Sequence, residues 1–110
     1  MSKKIIALTK PIVDEQTDVE CNFHVMESVY IHFQAQMTQA TFRSYVSQKS
    51  YDKGKHFVGV EGIPVQINQA PPEGVDTVQW IYQNAANYIV PASENTPTIL
   101  TDAVVVEVNV

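Results

Sequence analysis

The residues of this chain whose types first point to chemistry are Cys21, His24 and His32, because thiolate and imidazole are the usual ligands of zinc. Their spacing argues against a shared ion. Cys21 and His24 lie at positions of opposite parity in an alternating stretch, where successive side chains point to opposite faces, and His24 and His32 stand roughly 26 Å apart along an extended strand. One cysteine and three histidines leave little else from which to build a four-ligand site, so no metal is expected. The same parity separates Cys21 as a nucleophile from His24 as a base. Asp14, Glu15, Asp18 and Glu20 offer oxygen ligands to calcium without the glycine-bearing loop that such sites use, and read as a solvated acidic loop. There is no Gly-x-Ser-x-Gly elbow, His-Glu-x-x-His pair, Walker loop or Gly-x-Gly-x-x-Gly turn, and four glycines in all make a phosphate cradle unpromising. Neither a catalytic centre nor a cofactor is expected. Trp80, Tyr82 and Tyr88 could stack on sugars or bases, but Tyr82 and Tyr88 share an apolar helical face, which favours core packing.

The elements that would position these residues follow from periodicity. From Cys21 to Met37 the odd positions are mostly apolar and the even ones mostly polar, with one break at Glu27 that predicts a bend or bulge. After Met37 the phase inverts, so Val29 to Ala35 and Ala40 to Val46 are predicted to form an antiparallel hairpin that reverses at about Gln36 to Gln39. Ser47 to Lys55 has a serine cap, a polar helical turn and a glycine stop at Gly54. HFVGV and IPVQI read as a looser hairpin or a bent strand, with Pro64 keeping the second run at an edge. Asp76 and Gln79 form a capping-box pair before a helix from about Thr77 to Ile89, whose apolar face holds Val75, Val78, Ile81, Tyr82, Ala85, Tyr88 and Ile89. Ile5 to Leu8 and the valine-rich TDAVVVEVNV read as further strands. The prediction is a single α+β domain over residues 1–110, a mainly antiparallel sheet with one amphipathic helix at about 77–89 packed on it.

Composition narrows the function class. A 110-residue chain with 45% hydrophobic residues has enough material for one modest core. No apolar run approaches the ~20 residues of a membrane-spanning helix, and the apolar run after Lys3 and Lys4 is shorter than the core of a secretory signal, so a non-exported chain is expected. A single cysteine leaves no internal disulfide, and Cys21 is expected to be buried. A net charge of -5 speaks against nucleic-acid binding, which draws its affinity from cations on the phosphate backbone. The basic residues are segregated: Lys3, Lys4 and Lys10 near the start, then Arg43, Lys49, Lys53 and Lys55 in the middle, with acidic or neutral sequence elsewhere. Such a distribution suits docking of the basic middle on an acidic neighbour.

The segment VYIHFQAQMTQATFRSYVSQKSYDKGKHFVGVEGI, two alternating strands followed by a Ser-x-x-x-Tyr-x-x-Gly-Lys turn, resembles small virion structural proteins of tailed bacteriophages, particularly those of the tail or baseplate. It covers about a third of the chain, and the residues that carry it are Ser47, Tyr51, Gly54 and Lys55. The resemblance implies a non-enzymatic part of a multi-subunit particle, found in the virion and in the host cytoplasm during assembly. Its partners would be other virion subunits, itself or hetero-partners, with no nucleic acid, membrane or small-molecule substrate. Arg43, Lys49, Lys53 and Lys55 are the expected contact residues. Two other readings stand beside it: a small ligand-binding or lectin-like module with a pocket near Trp80, and an acidic inhibitor of a host protein.

Overall fold

The computed structural model describes residues 3–87 and 99–109. The chain forms β1 (Lys3–Val13), β2 (Glu20–His32), β3 (Met37–Tyr45), α1 (Gln48–Asp52), β4 (Val58–Ile67), α2 (Thr77–Asn87) and β5 (Val104–Asn109). The strands make one antiparallel sheet in the order β4-β3-β2-β1-β5. The architecture is therefore α+β with the sheet dominant, as periodicity predicted.

Directly paired residues share a face, so the register sorts the side chains. Leu8, His24, Met26, Phe42, Ala40, Val65 and Ile67 point to one face, where α2 lies along β1 and β5. Ile81, Tyr82, Ala85, Trp80 and Ala86 of α2 close the core over Ile5, Leu8, Phe42, Val65 and Ile67. Full burial of each large apolar side chain contributes about 1.5–3 kcal/mol, so these residues dominate stability. Phe42 and Tyr82 meet edge to face at 5.6 Å between ring centres. Thr9, Phe23 and Tyr45 point to the opposite face, which α1 partly covers.

The long alternating stretch does contain the break predicted at Glu27: the β2–β3 register shifts between Met26 and Ser28. The bulge has a consequence that parity alone missed. Val29 and Ile31 lie on the same face as Met26 and His24, whereas Phe23 and Val25 lie on the other, so the odd positions do not share one face throughout. The hairpin reversal also differs from expectation. It occupies Phe33 to Gln36, before the predicted Gln36 to Gln39, and His32 pairs with Met37. Gln36 adopts a left-handed backbone (φ 51°) and its side-chain amide donates to the Phe33 carbonyl at 2.8 Å, doing the work usually left to glycine. HFVGV and IPVQI are one bent strand: β4 breaks register with β3 between Phe42 and Ser44. Gly62 sits at this bend, where an added Cβ would lie 2.3 Å from Thr41 Cγ2 and 2.9 Å from the Phe42 carbonyl oxygen. Pro64 is on an outer strand, as expected.

The helix α2 begins as predicted, and residues 88 and 89 of its expected end lie outside the described residues. Asp76 Oδ1 accepts the Gln79 N–H at 3.2 Å, but the Gln79 side chain does not return to Asp76 and so only half of a capping box forms. Val75 and Val78, placed on the apolar face by spacing, are exposed, while Trp80, Asn84 and Ala86 join the buried side. The Gln79 amide instead pairs with the β1 main chain: Oε1 accepts the Ile5 N–H at 2.7 Å and Nε2 donates to the Ile5 carbonyl at 2.9 Å. One turn on, the Tyr82 hydroxyl accepts the Met26 N–H and donates to the Ile6 carbonyl, both at 3.0 Å. Continued past Leu8↔His24, the β1–β2 register would set Ile6 opposite Met26. Tyr82 thus bridges a ladder rung where the two strands have parted. Burial pushes the Tyr82 pKa up, keeping the hydroxyl neutral and able to donate.

Candidate functional site

The predicted contact residues fall on and beneath α1, on the face opposite α2. Ser47 caps α1, its Oγ accepting the Ser50 N–H at 3.2 Å. At the other end Gly54 takes φ 74°, its N–H bonds to the Tyr51 carbonyl, and the Lys55 N–H bonds to the Ser50 carbonyl. This paired closure stops the helix within two turns and turns Lys55 outward. Tyr51 anchors the helix to the sheet, with its ring 5.3 Å from Phe23 and 4.9 Å from Tyr45. Lys49, Lys53 and Lys55 are all exposed around this anchor.

Arg43 behaves differently from the three lysines. It projects from β3, its guanidinium lies 4.4 Å from the centre of the Phe57 ring, and its Nε is 2.6 Å from Glu27 Oε2. The side chain retains only 21% of its exposure. An ion pair this close to solvent adds little stability. Its position instead fixes Arg43 against the bulged residue of β2. The structure therefore brings the lysines to one surface and holds Arg43 beside it, already engaged.

The hairpin end of β2–β3 forms a second exposed region. Tyr30 is 61% exposed, Phe33 67% and Val29 39%. Tyr30 stacks on His32 at 4.2 Å. From Ser28 to Phe42 the chain has no Asp, Glu, Lys or Arg.

The residues first considered for chemistry end up elsewhere. His24 is fully buried on the α2 face, opposite in parity to Cys21 as the spacing predicts. A bulge in β1 supplies its partner: Thr9 pairs with Phe23 and Ile12 with Cys21, so Lys10 and Pro11 face one residue and the Lys10 carbonyl is left to His24. His24 Nε2 lies 2.8 Å from that carbonyl, which can only accept, so Nε2 carries the proton. Nδ1 then accepts from the Ser44 hydroxyl at 2.9 Å. Burial lowers the His24 pKa, and the bond to Lys10 partly opposes this. Both ring nitrogens are occupied in a neutral imidazole that ties β1, β2 and β3 together. Thr-rich or Gly-rich turns did not signal it; Pro11 within a strand was the available clue, since proline forces a break in the ladder.

A cavity of about 310 Å³ opens near this linkage, lined by Ile12, Asp14, Glu15, Cys21, Ser44, Ile63 and others. It gathers a thiol, carboxylates and, through Ser44, a histidine. Their states do not suit nucleophilic attack. Cys21 is buried as expected, and burial followed by the charges of Asp14 and Glu20 raises its pKa, which keeps it a thiol. Asp14 Oδ2 is bound by the backbone and side chain of Thr17. Ser44 and His24 do resemble a hydroxyl–base pair, but the carboxylates on the walls would oppose an oxyanion there. Among the described residues no three of His, Cys, Asp and Glu converge to hold a metal. Trp80 does not line this cavity; it packs in the core at 7% exposure. Comparison with family models, with curated proteins and with solved structures finds no match.

Proposed function

We propose that this chain is a non-enzymatic assembly subunit that docks on neighbouring subunits through its sheet edges and the basic surface around α1. The observation that carries the reading is the exposure of Lys49, Lys53 and Lys55 on and just after a short helix pinned to the sheet by Tyr51. Three mobile cations held on a rigid base, in a chain of net charge -5, suit recognition of an acidic partner face and speed its approach. Arg43 contributes from beneath, through Phe57 and Glu27. The resemblance to tail and baseplate proteins of bacteriophages supports a virion as the assembly.

Two measurements test this. Mass spectrometry of purified particles should find the chain in stoichiometric amount, and its absence would overturn the virion assignment. Reversing Lys49 and Lys53 to Glu should abolish incorporation while the thermal melt stays unchanged; full incorporation would remove the docking surface. A saturable small-molecule site in a chain that never joins a particle would favour a ligand-binding module, with the cavity beside Ser44 as its seat.

A further inference from the structure

β2 is covered on both sides for only part of its length. Towards β3 it pairs from Phe23↔Tyr45 to His32↔Met37. Towards β1 the pairing stops at Leu8↔His24, and Tyr82 takes the Met26 N–H. The same register would place Lys3 opposite Val29, so beyond that point β1 supplies no partner among the described residues. Main-chain groups alternate sides along a strand, and with Met26 directed towards β1, Val29 and Ile31 point theirs away from β3 once the bulge at Glu27 is passed.

An open strand of this kind is normally blunted by lysine, proline or a bulge. The outer strand β4 has Pro64 and a register break. Ser28-Val29-Tyr30-Ile31-His32 has neither, and Tyr30 and Val29 expose apolar surface along it. Its sequence also reads alike in both directions from Tyr30: a β-branched aliphatic residue, then a polar one. We propose that this open edge takes the same edge of a second copy of the chain, antiparallel and related by a two-fold axis at Tyr30, joining the two β2–β3 hairpins into one ribbon. Val29 then faces Ile31 of the second copy, the two Tyr30 rings meet across the axis, and Ser28 faces His32.

Charge selects a second copy as the occupant. Two chains of net charge -5 repel, and the stretch from Ser28 to Phe42 is free of Asp, Glu, Lys and Arg, so two copies can meet along it at low electrostatic cost, while the near-symmetry of its sequence about Tyr30 suits a second copy. A strongly charged partner would gain nothing at this edge. Five paired residues span roughly 17 Å, which puts the contact at the small and weak end of specific interfaces, so it forms by mass action at high local concentration. That condition is met inside an assembly, and the inference rests on the assembly reading above.

Sedimentation velocity on the purified full chain, from about 10 µM to about 1 mM, reads this directly. The mass should rise towards twice the monomer. Tyr30→Lys, at an exposed position, sets two cations against each other on the axis and should hold the chain monomeric with an unchanged circular dichroism spectrum, while Lys49→Glu with Lys53→Glu should leave the dimer intact. As a second measurement, Tyr30→Cys should give a covalent dimer under mild oxidant and Lys53→Cys should not. A monomer at every concentration, or a dimer that survives Tyr30→Lys, overturns the proposal. Neither result touches the lysine surface, whose loss is read separately by incorporation into particles.

Discussion

The two sides of β2 are built by different means. Towards β3 the strand is hydrogen-bonded along most of its length, with one bulge at Glu27. Towards β1 it begins as a ladder bulged at Lys10 and Pro11, continues as a rung made by the Tyr82 hydroxyl, and then has no described strand paired with it. One strand is thus interior at its start and an edge at its end. Where the ladder is closed, polar groups such as His24 are fully buried and fully paired; where it is open, Tyr30 and Phe33 face solvent. The contrast places buried, paired groups in the first half of β2 and leaves the second half for the contact proposed above.

The largest effect should come from the closed half. His24→Ala removes a buried ring and strands the Lys10 carbonyl, so it should cost about 3–4 kcal/mol in urea unfolding, with His24→Gln recovering part of the loss. A cost below about 1 kcal/mol would show that His24 is not a linchpin. At the plugged rung, Tyr82→Phe should cost about 1–3 kcal/mol and speed hydrogen exchange at the Met26 amide, because that N–H and the Ile6 carbonyl lose their bridge. Unchanged exchange would mean the strands close up without it.

Acid should sharpen the same division. The folded state holds the His24 pKa below its ordinary value near 6.5, so the unfolded chain binds a proton that the folded chain refuses. Stability is full above about pH 6.5 and declines as pH falls below it, by at most about 1.4 kcal/mol per pH unit, until the folded-state pKa is reached. Urea titrations between about pH 7.5 and 5 should show this slope in the native chain and a shallower one in His24→Gln. In the open half, Phe33→Ser should move stability by less than about 0.5 kcal/mol, since the side chain is mostly in water already. A larger loss would place Phe33 in a contact that its exposure denies.

Period-two alternation is enough to read the hairpin and the break at Glu27, it leaves the fourth strand open between a bent strand and a looser hairpin, and capping chemistry locates both helices. What it could not carry was any feature made by residues distant along the chain. Alternation gives no sign of the partner that His24 finds, because the Lys10 carbonyl is freed by a bulge at Pro11 in another strand. Gln79 reads locally as a helix-cap residue, because Ile5, to which its amide bonds, lies 74 residues away and leaves no local signal. The turn at Phe33 to Gln36 was misplaced because glutamine took a backbone conformation normally left to glycine. Of the candidate surface, the grouping of Lys49, Lys53 and Lys55 was legible from their spacing on a short capped helix. Arg43 was counted as their equal, and only its contacts with Glu27 and Phe57 set it apart.

The position of β1, paired on both sides, also sets a timetable. It lies between β2, which follows it directly, and β5, which pairs Asn109 with Lys3 across nearly the whole chain. Gln79 and Tyr82 reach Ile5 and Ile6 over a similar separation. Closing such long loops precedes any reward from them, so the early hairpins can zip quickly while completion waits for the late segments, and refolding should fall in the milliseconds-to-seconds range of non-local sheets. On a ribosome, β1 would emerge first and be finished last.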